Sequence, residues 1–264
     1  MSEVLLRETA NGVRTLTLNR PHARNALGDG LPGALYDALL AADEDDEVRV
    51  LVLTGADPAF CAGLDLKEAA RDSAAYSRQF ADNNCITQVS QLRKPVIGAV
   101  NGPAFTGGLE IALGCDFLVA SERAVFADTH ARVGVLPGGG LTARLPRLVG
   151  AGYARRMSFT GDLVDAAEAL RVGLVTEVVQ HDRLLAHVGE LARAVAEIPP
   201  RTIGALKRIY VEGGAAVVNP ALEAERGAAG QVRPEWDSVD ERRRAVTERS
   251  RAQLAGGDQS ALLA

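Results

Sequence analysis

Apolar and polar positions alternate through Gly12-Val13-Arg14-Thr15-Leu16-Thr17-Leu18, the two-residue period of a strand with one exposed face. Leu31, Leu35 and Leu39, with Ala34 and Ala38, then recur three and four apart and predict a helix with one apolar stripe. The runs Val48-Arg49-Val50-Leu51-Val52-Leu53 and Val96-Ile97-Gly98-Ala99-Val100 are short and almost wholly apolar, which predicts buried strands. Residues 69–92 read as helical with a mixed pattern. Residues 166–170 form a helix closed by Gly173, a short strand follows over 174–179, and Pro199-Pro200 ends a helix spanning roughly 183–198. Residues 201–210, 220–229 and 237–254 read as further helices. Strand and helix thus alternate to about residue 180 and give way to helix, which predicts an α/β fold with a parallel sheet buried on both faces. The pattern alone leaves open how that sheet is wound.

Two glycine-bearing stretches add chemistry to this frame. Phe60-Cys61-Ala62-Gly63-Leu64-Asp65-Leu66 follows the second predicted strand, and Asn101-Gly102-Pro103-Ala104-Phe105-Thr106-Gly107-Gly108-Leu109-Glu110 follows the third. The second runs from a buried strand into a helix, where N–H donors lack intrahelical partners and the helix dipole is positive. Donors fixed there suit the negative charge that builds on a thioester or ester oxygen. Glu110 stands within one turn of them, where a carboxylate can move protons on a polarised substrate. Each piece also has an ordinary explanation: Gly107 and Gly108 as a tight turn, Glu110 as a partner of the helix dipole, and 54–58 as strand-end turn chemistry. The occurrence of both stretches in one chain favours an oxyanion hole.

Composition narrows the class. At 264 residues, 47% hydrophobic and 24% charged, the chain can bury a large core, and its formal net charge of −5 argues against a nucleic-acid partner. Lys occurs only at 67, 94 and 207. Cys61, Cys85 and Cys115 lack paired spacing, so we expect buried thiols and no metal site. The first residues carry neither a basic region nor a long apolar segment, and the expected location is the cytoplasm with no membrane span. No Gly-x-Gly-x-x-Gly follows the early strand, which removes a nicotinamide enzyme, and no Gly-x-Ser-x-Gly elbow supports a serine hydrolase.

The same residues carry a family resemblance. Leu18-Asn19-Arg20-Pro21, Arg24-Asn25-Ala26-Leu27, the Phe-Cys-Ala-Gly-x-Asp-Leu stretch, Asn101 to Glu110, Cys115-Asp116 and Gly134-Val135-Leu136-Pro137-Gly138-Gly139-Gly140 stand in the order of the crotonase, or enoyl-CoA hydratase and isomerase, superfamily. The chain resembles that superfamily from the N-terminal strand to about residue 210. The resemblance implies a crotonase-like spiral of repeated ββα units over residues 1–200 and a C-terminal helical region for lid and trimerisation over 201–264, with a flexible tail from about 255. It implies a homotrimer or hexamer that processes an acyl-CoA thioester. No cofactor is implied, because coenzyme A is part of the substrate.

By the same resemblance, the N–H groups of Leu64 and Gly107 grip the thioester carbonyl, and Glu110 is the first catalytic glutamate of the hydratases. His22, Ala23 and Arg24, with Ala62, Asp65 and Leu66, match positions beside the coenzyme A moiety. His130 departs from the pattern: it stands where a hydratase has its second glutamate. An imidazole there can exchange protons near neutral pH or serve as a pocket hydrogen-bonding group. Asp128, two residues away, would share a face with it on an extended segment. Hydration of a 2-enoyl-CoA is the leading expectation. Double-bond isomerisation by Glu110 alone and non-catalytic acyl-CoA binding remain its alternatives.

Overall fold

The computed structural model describes residues 3–81, 84–231 and 236–255. Strands β1 (Leu5–Ala10), β2 (Val13–Leu18), β3 (Val50–Gly55), β4 (Val96–Val100), β6 (Phe117–Ser121) and β9 (Glu177–Val179) form a six-stranded sheet in that spatial order. The β1–β2 hairpin is antiparallel and every later pairing is parallel, with Leu51 opposite Val96 and Ile97 opposite Phe117. A second sheet of β5 (Ala104–Phe105), β7 (Val125–Ala127) and β8 (Val164–Asp165) lies beside it.

Every residue of β3 and β4 is buried, which is why those runs carry almost no polar side chain. On one face, Leu16, Leu18, Leu51 and Leu53 pack with Leu31, Leu35 and Leu39 of α1 (Leu31–Glu44). On the other face, Val50, Val52, Ile97 and Val119 form a second cluster with apolar residues of a C-terminal helix, Leu184, Val188 and Ala192. The predicted two-faced burial is therefore present.

The remaining described helices are α2 (Leu66–Arg71), α3 (Ser73–Ala81), α4 (Cys85–Gln88), α5 (Gly107–Gly114), α6 (His130–Val133), α7 (Leu141–Val149), α8 (Ala151–Thr160), α9 (Ala166–Arg171), α10 (Leu184–Ala196), α11 (Pro200–Gln231) and α12 (Trp236–Ala255). Two expectations are corrected. Residues 69–92 are no single helix, because Asp72 accepts from Ala75 N and Asn84 accepts from Ile86 N and Thr87 N, each side chain starting a new helix. Conversely, the expected separate helices over 201–210 and 220–229 are one, since α11 runs through Pro220. Pro220 is exposed there and removes one donor from the ladder without ending it. The expected flexible tail falls almost wholly outside the described residues.

Among the described residues, no helix is long and apolar enough to cross a membrane.

Candidate active site

Because β3 and β4 are neighbours and parallel, the loops that leave their C-terminal ends emerge side by side. Those loops are the two glycine-bearing stretches. They are stitched together by main chain: Phe60 N and Cys61 N donate to Pro103 O, and Phe105 N donates to Cys61 O at 3.0 Å. A methyl group at Gly108 would lie 2.8 Å from the carbonyl carbon of Cys61, and one at Gly63 would lie 2.8 Å from Phe105 O. Only glycine permits this approach, and Gly63 also carries φ +91°.

Buried polar side chains hold the first loop. Asn25 donates to Ala56 O and Ala59 O, both at 2.7 Å, while Asn101 accepts from Gly55 N and donates to Asp57 Oδ1 at 2.9 Å. Arg20 reaches Ala26 O at 2.6 Å and Asp65 Oδ2 at 3.1 Å. The Asp65 carboxylate also caps α2 through Glu68 N, so its side chain builds the loop as well as lining the cavity.

The two candidate donors, Leu64 and Gly107, belong to the two loops of this stitched pair. Leu64 sits between residues that bond Leu27, with Leu27 N donating to Gly63 O and Asp65 N to Leu27 O. Its own N–H takes no part in that ladder. Gly107 is the first residue of α5, where an N–H has no intrahelical acceptor. An ideal Cβ on Gly107 would stand 3.8 Å from Gly63 Cα, which brings the two peptides into one neighbourhood. Thr106, just before, holds φ +47°, a positive value that a β-branched residue rarely adopts.

Glu110, one turn into α5, is 3% exposed, and its Oε1 accepts from Gly139 N at 2.7 Å. Its Oε2 lies 3.7 Å from Nε2 of His130, also 3% exposed. The other imidazole nitrogen, Nδ1, is 2.7 Å from Asp128 Oδ1. The sequence expectation placed this pair on an extended segment, which the structure corrects: β7 ends at Ala127 and His130 opens α6. Asp128 still meets His130 because its carboxylate also accepts from His130 N at 3.2 Å, a local turn that brings the carboxylate and the imidazole together.

Electrostatics follow from this burial. Desolvation pushes the Glu110 carboxyl above its ordinary value, and the neighbouring imidazole offsets only part of that. For His130, burial works downward, but the Asp128 hydrogen bond and the charges of Glu110, Asp128 and Glu225 outweigh it and raise the imidazole. Burial likewise acts to raise Asp128, but hydrogen bonds to His130 and Ser158 and the charge of the imidazole together outweigh it and lower the carboxyl. The direction of these shifts favours an ionised Asp128–His130 pair.

A cavity of 640 Å³ opens in front of this cluster. His22, Ala23, Arg24, Ala62, Asp65 and Leu66 all line it, together with Leu64 and His130. Glu110 and Gly107 are not among the lining residues; Glu110 connects to the cavity through His130, 3.7 Å away. Arg24, Lys67, Arg71 and, from α12, Arg243 make its walls cationic, and Val246, Thr247 and Ser250 of α12 close one side. Among the described residues, no group of three or more His, Cys, Asp or Glu side chains could hold a metal ion.

Sequence reasoning missed two contributors. Tyr76, from the segment that read as a helix of mixed pattern, donates its hydroxyl to Leu27 O and accepts from Asp65 N at 2.8 Å, bracing the peptide next to Leu64. Glu225, far along α11, accepts from Gly140 N and Thr142 N beside the loop that holds Glu110. Neither has a local signature, because each acts on residues distant in sequence.

Solved structures share this architecture. An enoyl-CoA hydratase from Mycobacterium smegmatis superposes with a TM-score of 0.78 at 50% identity, covering 87% of this chain and 98% of that one. The fold is that of the crotonases. Among curated relatives, a crotonyl-CoA hydratase from Syntrophomonas wolfei is 36% identical over 231 residues, covering 86% of this chain and 89% of that protein. A probable peroxisomal enoyl-CoA hydratase of Arabidopsis thaliana is 35% identical over 226 residues, covering 86% and 85%. The sequence profile described as enoyl-CoA hydratase/isomerase matches residues 8–253. The chain belongs to the enoyl-CoA hydratase/isomerase family and is an enzyme of that family.

Proposed function

We propose that this enzyme hydrates 2-enoyl-CoA thioesters with Glu110 as base and His130, held by Asp128, as acid. The observation that carries the reading is the 3.7 Å separation of His130 Nε2 and Glu110 Oε2, with Asp128 on the opposite imidazole nitrogen. Two proton-exchanging groups side by side meet the needs of water addition, whereas isomerisation by one glutamate leaves the imidazole without a task.

In this mechanism the thioester oxygen rests between the N–H groups of Leu64 and Gly107, which stabilise the charge that develops there. Glu110 takes a proton from water as its oxygen bonds to C3. The electron pair of the C2=C3 bond moves toward the carbonyl, giving an enolate. His130 then delivers its Nε2 proton to C2 and the thioester reforms. Atoms balance as one water added across the double bond, and transfer of the proton from Glu110 back to His130 resets the site. Asp128 keeps Nδ1 as its own hydrogen-bond partner, which leaves Nε2 as the working nitrogen. The cationic walls at Arg24, Lys67, Arg71 and Arg243 suit the phosphates of coenzyme A, and the reaction calls for no further cofactor.

This reading places the enzyme in the cytoplasm as a homotrimer or hexamer. Support for association comes from α11, where Leu206, Ile209, Tyr210 and Val217 are exposed on one helix.

Incubation with saturated, 2-enoyl and 3-enoyl CoA thioesters, with products identified by mass and retention, tests the function. Hydration adds the mass of one water to the 2-enoyl substrate. An unchanged mass with altered retention would establish isomerisation instead, and binding without product would make the chain an acyl-CoA carrier.

A further inference from the structure

Helix α11 has 32 residues, and its buried positions are Lys207 and Glu225, both charged. A helix docked by the hydrophobic effect buries an apolar stripe. Buried charges are costly unless paired, so their positions report specific tethers. Lys207 Nζ donates to Asp116 Oδ2 at 2.8 Å and to Lys94 O at 2.9 Å, fastening the helix where β4 and β6 begin. Glu225 fastens the other end at the active site.

There the Glu225 carboxylate accepts from Gly140 N at 2.5 Å, Thr142 N at 2.7 Å and Thr142 Oγ1 at 2.5 Å. It occupies the N-terminus of α7, where a negative charge is favoured and the free N–H groups need acceptors. The preceding residue, Gly139, donates its N–H to Glu110, and its carbonyl accepts from Arg144 Nη1 at 2.7 Å. Two successive main-chain amides are thus divided between Glu110 and Glu225. A side chain at Gly139 would press on Glu110, with an ideal Cβ 2.9 Å from its Cδ, so the turn and the carboxylate are closely fitted.

We propose that Glu225 is a positioning residue for the reaction: from the C-terminal helix it fixes the turn at 139–142 and thereby sets where Gly139 N–H holds the Glu110 carboxylate. This rests on the hydratase reading for its effect on turnover, but not for its effect on the site. The charged groups facing Glu225 are Arg144 on α7, Glu110 on α5 and His130 on α6, with Arg226 beside it on α11. Its negative charge acts to raise both Glu110 and His130. A carboxamide in its place therefore removes an electrostatic influence that a mere structural clamp would not exert.

The test compares Glu225→Gln and Glu225→Ala with Lys207→Met, which frees the same helix at its other end. Two readouts are taken: steady-state hydration across pH, and titration of the four histidines by NMR on protein with 13C-labelled histidine, His130 being assigned by His130→Asn. For Glu225→Gln we expect kcat to fall about tenfold to a hundredfold, the scale of a small misplacement of a catalytic group, with KM within about threefold. The His130 midpoint moves to lower pH. Lys207→Met lowers thermal stability and leaves that midpoint in place. The proposal is overturned if the titration and kcat are unchanged in both Glu225 variants, or if Lys207→Met moves the His130 midpoint equally. Should the wild type show no hydration, the functional reading fails, and the histidine titration still decides the role of Glu225.

Discussion

His130 and Glu110 face each other across 3.7 Å, Nε2 to Oε2, too far for a direct hydrogen bond and close enough for one small polar group to touch both. Both side chains are buried, and each is held from behind, His130 by Asp128 and Glu110 by Gly139 N.

Glu110→Gln preserves size and an oxygen acceptor for Gly139 N–H, but it removes the base. We expect kcat to fall by roughly 10²- to 10⁴-fold, the range for loss of a general acid or base. Thermal unfolding should be nearly unchanged and binding of a saturated acyl-CoA retained. An undiminished rate in this variant would exclude Glu110 as the proton acceptor.

The pH dependence of kcat should be bell-shaped. Glu110 must be ionised, so activity rises with pH through its value, which burial lifts above the ordinary carboxylate range. His130 must be protonated, so activity falls as pH rises through its value, which lies above that of a free imidazole. Asp128→Asn removes a contribution that raises His130 and should move the alkaline limb to lower pH. His130→Ala should abolish that limb. A wild-type profile flat on the alkaline side would count against His130 as the acid.

His130 also makes stability depend on pH. Its folded value is raised, so its contribution is fully present below the unfolded imidazole value and is lost as pH rises through the folded one. Wild-type minus His130→Ala unfolding free energy, measured by urea titration at several pH values, should decline across that window. A difference that grows with pH would reverse the assigned direction.

Gly108→Ala and Gly107→Ala should diverge. A methyl at Gly107 meets Leu27 Cδ1 and Ile86 Cδ1 at 3.5 Å, ordinary contact, whereas at Gly108 it drives into the Cys61 peptide. We expect Gly108→Ala to cost about 1–3 kcal/mol or more, as overpacking does, and to part the two loops. Gly107→Ala should fold with a melting temperature near wild type. Equal stability of the two variants would show that the loops are not in contact as described.

Tyr76→Phe removes the hydroxyl that bridges Leu27 O and Asp65 N. Burial keeps this phenol protonated by pushing its ionisation far upward, so it serves as a fixed donor. A loss of about 1–3 kcal/mol is expected from leaving these main-chain groups less satisfied. Since Asp65 N follows Leu64 directly, kcat should fall as well, and unaltered kinetics would separate Tyr76 from the carbonyl-binding loop.

Much of the frame was legible in the residues. Val50 to Gly55 and Val96 to Val100 are buried on both faces, so their composition had to announce them. The glycines at 63 and 108 were legible as parts of two motifs, but the close approach of two backbones that excludes any other residue there was shown only by the structure. Where local pattern misled, a side chain or a neighbour intervened. Asp72 and Asn84 divided the segment at 69–92 by capping, and exposure of Pro220 let α11 continue through a residue that normally ends helices.

By itself, then, the chain determined the central strands at 12–18, 48–53 and 96–100 and placed Glu110 beside unpaired amides as a candidate proton carrier, because these depend on residues adjacent in sequence; His130 entered through the family resemblance, and the short strands at 104–105, 117–121, 125–127 and 164–165 were not read from the pattern. Only the tertiary structure decided that His130 pairs with Asp128 through a turn, that Tyr76 braces the peptide beside Leu64, and that Glu225 reaches the amide next to the one holding Glu110. Those contacts join residues up to 85 positions apart, and their energy depends on burial and direction, which no local pattern of side chains encodes.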